Sequence, residues 1–228
     1  MTVLELPSNR AEAWRWADLG ALSAAAALAP IARAEHDFLD LPGARLLFVD
    51  GALDEAASTL GTVTLGEVAG SDHALGRHAR TGWSLHLDAR AAADPVQIVH
   101  VATGAENHLA AEIVLAEDAV AEVTETFVGA GWANRYTRTR LGKGARLMRN
   151  VRLLQPAGFV SLREDADIGE AASLVTTFLG AGGQGSRIDA QLTMSGEGAF
   201  AEYGGALLTS DTQAQECAVR VNHAQPNG

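Results

Sequence analysis

Four short polar turns recur along the middle of the chain, and each opens into a run in which apolar and polar residues alternate. They are Leu115-Ala-Glu-Asp-Ala119, Leu141-Gly-Lys-Gly-Ala145, Ile168-Gly-Glu-Ala-Ala172 and Ser195-Gly-Glu-Gly-Ala199. The closing alanines, at 119, 145, 172 and 199, are 26, 27 and 27 residues apart. The runs that follow, 120–128, 146–154, 173–179 and 200–208, have the length of strands. In the first, Ala119, Ala121, Val123 and Phe127 share one phase and Glu122, Thr124 and Thr126 the other. In the second, Leu147, Val151 and Leu153 oppose Arg146 and Arg152. A period of two describes a strand with one face in a core.

A second break divides each repeat: Gly129-Ala-Gly131, Gln155-Pro-Ala-Gly158, Gly180-Ala-Gly-Gly183 and Ser210-Asp211. Further β-rich runs follow at 134–141, 159–162, 186–192 and 217–221. One repeat is therefore turn, strand, corner, strand. A near-constant period of this size indicates a solenoid, and two strands per coil fit a parallel β-helix whose coils pair only with their neighbours. A sandwich or meander explains the strands but not the constant spacing of the corners. The expected organisation is mainly β: a helical segment over 1–40, mixed strands and connections over 41–95, and the β-helix core over 96–228.

Upstream of the repeats, the pattern predicts a helix over 9–22, capped by Ser8 or Asn9 with Glu12 three residues beyond Asn9. Trp14 and Trp16 diverge on such a helix, so either both simply anchor the helix, or one docks on the solenoid and the other covers a neighbouring loop. The alanine-rich stretch 21–34 continues helically until Pro30. It has the composition of a secretory apolar region, but no basic start precedes it, which favours the helix. Strands are predicted at 44–49, closed by an Asp50-Gly51 turn, and at 61–68, 83–87 and 96–102. In the last of these Val96, Ile98 and His100 share a face. The polar connection 73–80 has helical character.

Charge and chemistry narrow the function. The net charge of −11 comes without a basic stripe, which argues against nucleic acid as a partner. No stretch of 18 uncharged apolar residues offers a membrane span. Cys217 is the single cysteine, so no intrachain disulfide forms, consistent with the cytoplasm. None of the seven histidines forms a zinc-type i, i+4 pair, and no Cys-x-x-Cys exists; His73 and His78, five apart, read as a solvated pair. The glycine-rich stretch 180–185 sits at a repeat corner and reads as structure. No catalytic residue and no metal ligand is predicted, and cofactor-binding residues are left unassigned. Two charges fall in the inward phase: Glu125 beside Val123 and Phe127, and Arg149 beside Leu147 and Val151. On adjacent coils they are diagonal neighbours, and a buried charge demands a partner. They either pair inside, or a local bulge turns one of them outward.

Several stretches resemble the SufD branch of the SufB/SufD iron–sulfur cluster assembly family. These are Glu117-Asp-Ala-Val-Ala-Glu-Val-Thr-Glu-Thr-Phe-Val-Gly129, Leu141-Gly-Lys-Gly-Ala-Arg-Leu147, Phe178-Leu-Gly-Ala-Gly-Gly183 with Arg187 following, Ser195-Gly-Glu-Gly-Ala199 and His223-Ala-Gln-Pro226. Near the start, Arg10-Ala-Glu-Ala-Trp-Arg-Trp16 and Phe48-Val-Asp-Gly51 are similar too. The resemblance implies a right-handed parallel β-helix that serves as a scaffold and not as an enzyme. It implies a complex with a SufB-like paralogue and a SufC-like ATPase, with an iron–sulfur cluster present only in the assembled complex. Family members continue beyond the equivalent of Pro226 with more β-helix, a Cys-Ser-His-Gly segment and a helical region that binds SufC. Cys217 and His223 do not match that segment, so no metal ligand is carried over. A fragment or a shortened member is expected, with an open β-helix end that favours a homodimer or dependence on a partner. Competing readings are a carbohydrate-active β-helix enzyme and an unrelated interaction solenoid.

Overall fold

In a computed structural model, which describes residues 6–226, each polar turn is built around one left-handed residue placed just before its alanine. These residues are Asp118 (φ 57°), Gly144 (φ 66°), Ala171 (φ 52°) and Gly198 (φ 68°). Each alanine N–H then donates to the carbonyl three residues earlier: Ala119 to Ala116, Ala145 to Gly142, Ala172 to Gly169 and Ala199 to Gly196. The turns stack. Asp118 N donates to Lys143 O at 2.8 Å, Gly144 N to Glu170 O at 2.8 Å and Ala171 N to Glu197 O at 2.9 Å. The alanine side chains form a buried column along the edge of the core. A fifth turn, closed by Ala91 on Asp88 around Arg90 (φ 61°), heads the column. Its Leu87-Asp-Ala-Arg-Ala91 stretch is followed by Ala92-Ala-Asp-Pro95 and not directly by an alternating run, so the pattern of corners does not announce it.

The strands are β1 (Arg45–Val49), β2 (Ala52–Leu53), β3 (Val63–Glu67), β4 (Thr81–Leu87), β5 (Val96–Leu115), β6 (Val120–Leu141), β7 (Arg146–Leu153), β8 (Ala157–Ile168), β9 (Ser173–Ala181), β10 (Gly185–Met194), β11 (Phe200–Leu208) and β12 (Ala214–His223). They wind into a parallel β-solenoid of about five turns. One wall runs β1, β5, β6, β7, β9, β11, and the other β4, β5, β6, β8, β10, β12. The long strands β5 and β6 belong to both walls because they bend at the corner without breaking. β6 bends at Gly129 (φ 92°) and Gly131 (φ 123°), and β5 slips register between Thr103 and Glu106, next to Gly104 (φ 121°). Corner glycines are required for space as well as for φ: a Cβ on Gly158 would lie 2.1 Å from the carbonyl oxygen of Gly131. At the N-terminal end β2 and β3 pair antiparallel with β1 and β4. The β1–β2 connection is the expected Asp50-Gly51 turn, both residues having positive φ (49° and 82°).

The alternation of the sequence holds throughout. Val96, Ile98, Ala121, Val123, Leu147 and Leu174 fill the space between the walls, with Trp83, Leu85 and Ile113 from the second wall. The N-terminal segment differs from the expected helix over 9–22. Only a 3₁₀ turn, Glu12–Trp14, and α1, Leu19–Ala26, are helical. Two polar side chains explain the break. Asn9 donates its amide to Trp14 O and Ala17 O, folding the stretch back on itself, and Asp18 caps α1 by accepting from Ala21 N at 2.9 Å. The helix also ends before Pro30, and the chain continues extended, with Ile31 N donating to Thr103 O. Leu22 and Ala25 of α1 pack with Trp14 and Leu75 on Trp132 and Phe159, on the outside of the second wall. Ala34 and Phe38 cover Leu47, Val99 and Val101 on the outside of the first. Trp14 docks as expected, but Trp16 covers no loop: it is 83% exposed, with Arg15 lying over its ring.

Candidate functional site

The inward charges of the repeat meet in the solenoid interior. β6 and β7 pair with Val123 opposite Arg149 and Glu125 opposite Val151, which sets Glu125 and Arg149 on the diagonal. Arg149 Nη2 donates to Glu125 Oε1 at 2.5 Å, so the pair forms and neither residue is turned outward. The network is larger than the sequence suggested. The other arm of Arg149, Nη1, lies 2.6 Å from Glu164 Oε2 on the opposite wall, and Glu164 Oε1 accepts from Thr139 at 3.1 Å. His100 Nε2 lies 3.0 Å from Glu125 Oε2, and its Nδ1 accepts from Arg135 Nε at 3.2 Å. That fixes the tautomer: Nδ1 is the acceptor, so the proton is on Nε2 and points at Glu125. The His100 ring is stacked between Phe127 (4.5 Å) and Phe48 (5.9 Å). The remaining donors of Arg135 go to Asn107 and to the Asn134 carbonyl. Tyr203, from the last turn of the first wall, adds its hydroxyl to Glu164.

All five charge-bearing side chains are essentially excluded from water, none being more than 4% exposed. Formal charges cancel, with Arg135 and Arg149 against Glu125 and Glu164 and with His100 neutral. Burial opposes ionisation of Glu125, but the His100 hydrogen bond and the Arg149 charge outweigh it and hold the carboxyl at about 2. Burial, helped by the charge of Arg135, pushes His100 down to about 4. Arg149 is held above its ordinary value because Glu164 and Glu125 more than offset burial. Arg135, with no carboxylate in contact, is drawn down by burial to about 10.

A second cluster lies outside, where the N-terminal segment meets the second wall. Arg187 forms a two-pronged pair with Asp189 (2.7 and 3.0 Å), reaches Glu216 at 2.6 Å, donates to Ala13 O at 2.7 Å and lies 4.1 Å over the Trp14 ring. His73 Nε2 approaches Asp189 at 3.2 Å while its Nδ1 accepts from Leu75 N and Gly76 N. Asp189 is therefore lowered: burial would raise it, but His73 and Arg187 prevail. This corrects the solvated-pair reading of His73 and His78. His73 is a largely buried strut, and the His78 ring packs tilted against His108 at 5.5 Å. His108 is itself held by Asn134 Nδ2 at 2.9 Å and pushed to about 4, mainly by burial. Neither cluster was visible in linear spacing except through phase. Glu164 and Arg135 occupy inward positions of their strands, as Glu125 and Arg149 do, and the same count of two identifies them.

Among the described residues no group of three or more His, Cys, Asp or Glu side chains is placed to hold a metal. Cys217 lies on β12 in register with the buried Ile188, its thiol raised by burial and by Asp189. His223 ends the same strand opposite Met194. No helix among the described residues is long and apolar enough to cross a membrane. A search of curated proteins finds no match. The SufBD core domain of the SUF system for FeS cluster assembly matches residues 90–228, the stretch that holds the stacked turns and the interior network. The chain therefore belongs to the SufBD core family, and its role lies in iron–sulfur cluster assembly.

Proposed function

We propose that the chain is a SufD-like scaffold subunit of a SUF-type assembly complex, acting by holding partners in the cytoplasm and not by catalysing a reaction itself. The partners are a SufB-like paralogue and a SufC-like ATPase, and the nascent cluster is cargo of the complex and not a resident group of this chain. The observation that carries the reading is the family match across the coils. The SufD-like assignment rests on the ordered similarity of 117–129, 141–147, 178–183 and 195–199. The packing supports a role on the outside: the interior is filled by apolar side chains and a closed charge network, whereas the outer face of the first wall presents Met148 (49% exposed), Leu179 (40%) and Phe200 (52%). Exposed apolar residues on a rigid sheet are material for protein contacts.

Co-expression of the tagged chain with a SufB-like and a SufC-like protein is expected to yield a complex that survives gel filtration. Recovery of the chain free of both partners would overturn the proposal. Light scattering of the chain alone separates a homodimer from a species that needs its partners.

A further inference from the structure

The outside of the second wall carries a groove that the scaffold reading does not use. Its floor is two adjacent rows of side chains set by strand register. Arg138 of β6, Asp165 of β8, Gln191 of β10 and Arg220 of β12 form one row. Tyr136, Arg163, Asp189 and Ala218 form the next. The loop Gly70–His73 makes the opposite side and encloses a cleft of about 470 Å³. That cleft continues, past the shared His73, Arg163 and Arg220, into a second of about 230 Å³ beside Arg187. In sequence, Arg138, Arg163, Arg187 and Arg220 are 25, 24 and 33 residues apart, which is why no basic stripe is legible there. Coiling at that period brings them to one face of an otherwise acidic protein.

The charges in the groove are unevenly spent. Asp165 is taken by Arg163, with Ser71 at 3.4 Å and the Tyr136 hydroxyl also directed at it. Asp189 is taken by Arg187 and His73. Arg138 and Arg220 take part in none of the ion pairs among the described residues, and Arg163 Nε is buried without a hydrogen-bond partner. Two free guanidinium groups and a third with a spare donor thus line one concave, walled site, against the carboxylate of Asp72 on the loop, itself unpaired among the described residues. Guanidinium forks match phosphate and carboxylate oxygens in geometry as well as charge. Arg138 and Arg220 are three strand spacings apart, about 14 Å between backbones, a span that two arginines leaning inward close over one compact ligand. The neighbouring aromatic rings are not available for stacking: Trp14 is capped by Arg187, and Tyr136 is 3% exposed. A nucleobase therefore has no platform.

We propose that this groove binds a compact polyanion carrying several phosphate or carboxylate oxygens, held by Arg138, Arg163 and Arg220. The proposal is independent of the scaffold reading, since it concerns the isolated chain.

Titration calorimetry of the full chain at low ionic strength with inorganic pyrophosphate and, separately, with citrate tests it. At least one is expected to bind saturably with one-to-one stoichiometry. Binding of pyrophosphate alone assigns phosphate chemistry, and of citrate alone carboxylate chemistry. The double variant Arg138→Gln/Arg220→Gln, whose side chains support no ion pair, is expected to fold normally by circular dichroism and to bind at least tenfold more weakly. Arg146→Gln/Arg152→Gln, which removes the same charge from the other wall, is expected to bind as the parent does. No saturable binding of either anion, or equal losses in the two double variants, would overturn the proposal.

Discussion

Replacing Arg149 by methionine is expected to lower unfolding stability by about 3 to 5 kcal/mol, the usual cost of leaving buried charges without their partner. Among the described residues the side chain alone bridges Glu125 on one wall and Glu164 on the other, at 2.5 and 2.6 Å. Methionine of similar volume leaves little cavity, so the loss reports the stranded carboxylates and not packing. Arg149→Lys is expected to recover only part of it, because one ammonium cannot serve two carboxylates in fixed directions. Adding Glu125→Gln to Arg149→Met is expected to restore stability partially. Urea unfolding, followed by far-UV circular dichroism, measures all three; an Arg149→Met variant within about 1 kcal/mol of the parent would mean that the network contributes little.

The second large effect is on pH. His100 is neutral in the folded protein because burial and Arg135 bring it to about 4, against an ordinary 6.5. The groups that face it are Glu125, which accepts from it, and Arg135, which donates to it. Above pH 6.5 neither folded nor unfolded chain carries the proton, and its stabilising effect is fully present. Between 6.5 and 4 the unfolded chain binds a proton that the folded chain does not, so stability falls as pH falls. The loss from His100 is about 3 kcal/mol by pH 4. His108, also near 4 and facing His78 and Arg135, adds a smaller share because it is less enclosed. Glu125, whose ordinary value is 4.5, contributes little at the upper end of this window and adds its own loss as pH falls through 4.5 towards about 2. Urea midpoints at pH 7.5, 5.5 and 4.5 are expected to decline steadily, and His100→Gln is expected to flatten the decline. Midpoints that stay level from 7.5 to 4.5 would show that these histidines titrate freely.

The parts of the molecule written in a fixed period were readable from the chain alone. The turn alanines, the two strands per coil and the Glu125–Arg149 diagonal all follow from counting by two within strands and by 26 or 27 between them. What escaped was set by individual side chains acting at long range. A helical pattern over 9–22 is overridden by Asn9 and Asp18, which satisfy backbone groups on either side of a bend. His73 looks solvated until coiling places Asp189, over a hundred residues later, beside it. Glu164 is legible by phase, but its pairing is not, because its partner Arg149 comes from the opposite wall and wall-to-wall pairing has no period. The Asp88–Ala91 turn is hidden because Ala92-Ala-Asp-Pro95 separates it from the alternating run that begins at Val96.

All of these interpretations require that successive coils lie directly above one another. Nuclear Overhauser contacts between alanine methyl groups, in protein labelled at alanine, test that most directly. Neighbouring strands are about 4.8 Å apart, so the account predicts cross-peaks linking Ala119 to Ala145, Ala145 to Ala172 and Ala172 to Ala199. Absence of these contacts in a well-dispersed spectrum of the folded protein would contradict the stacked solenoid.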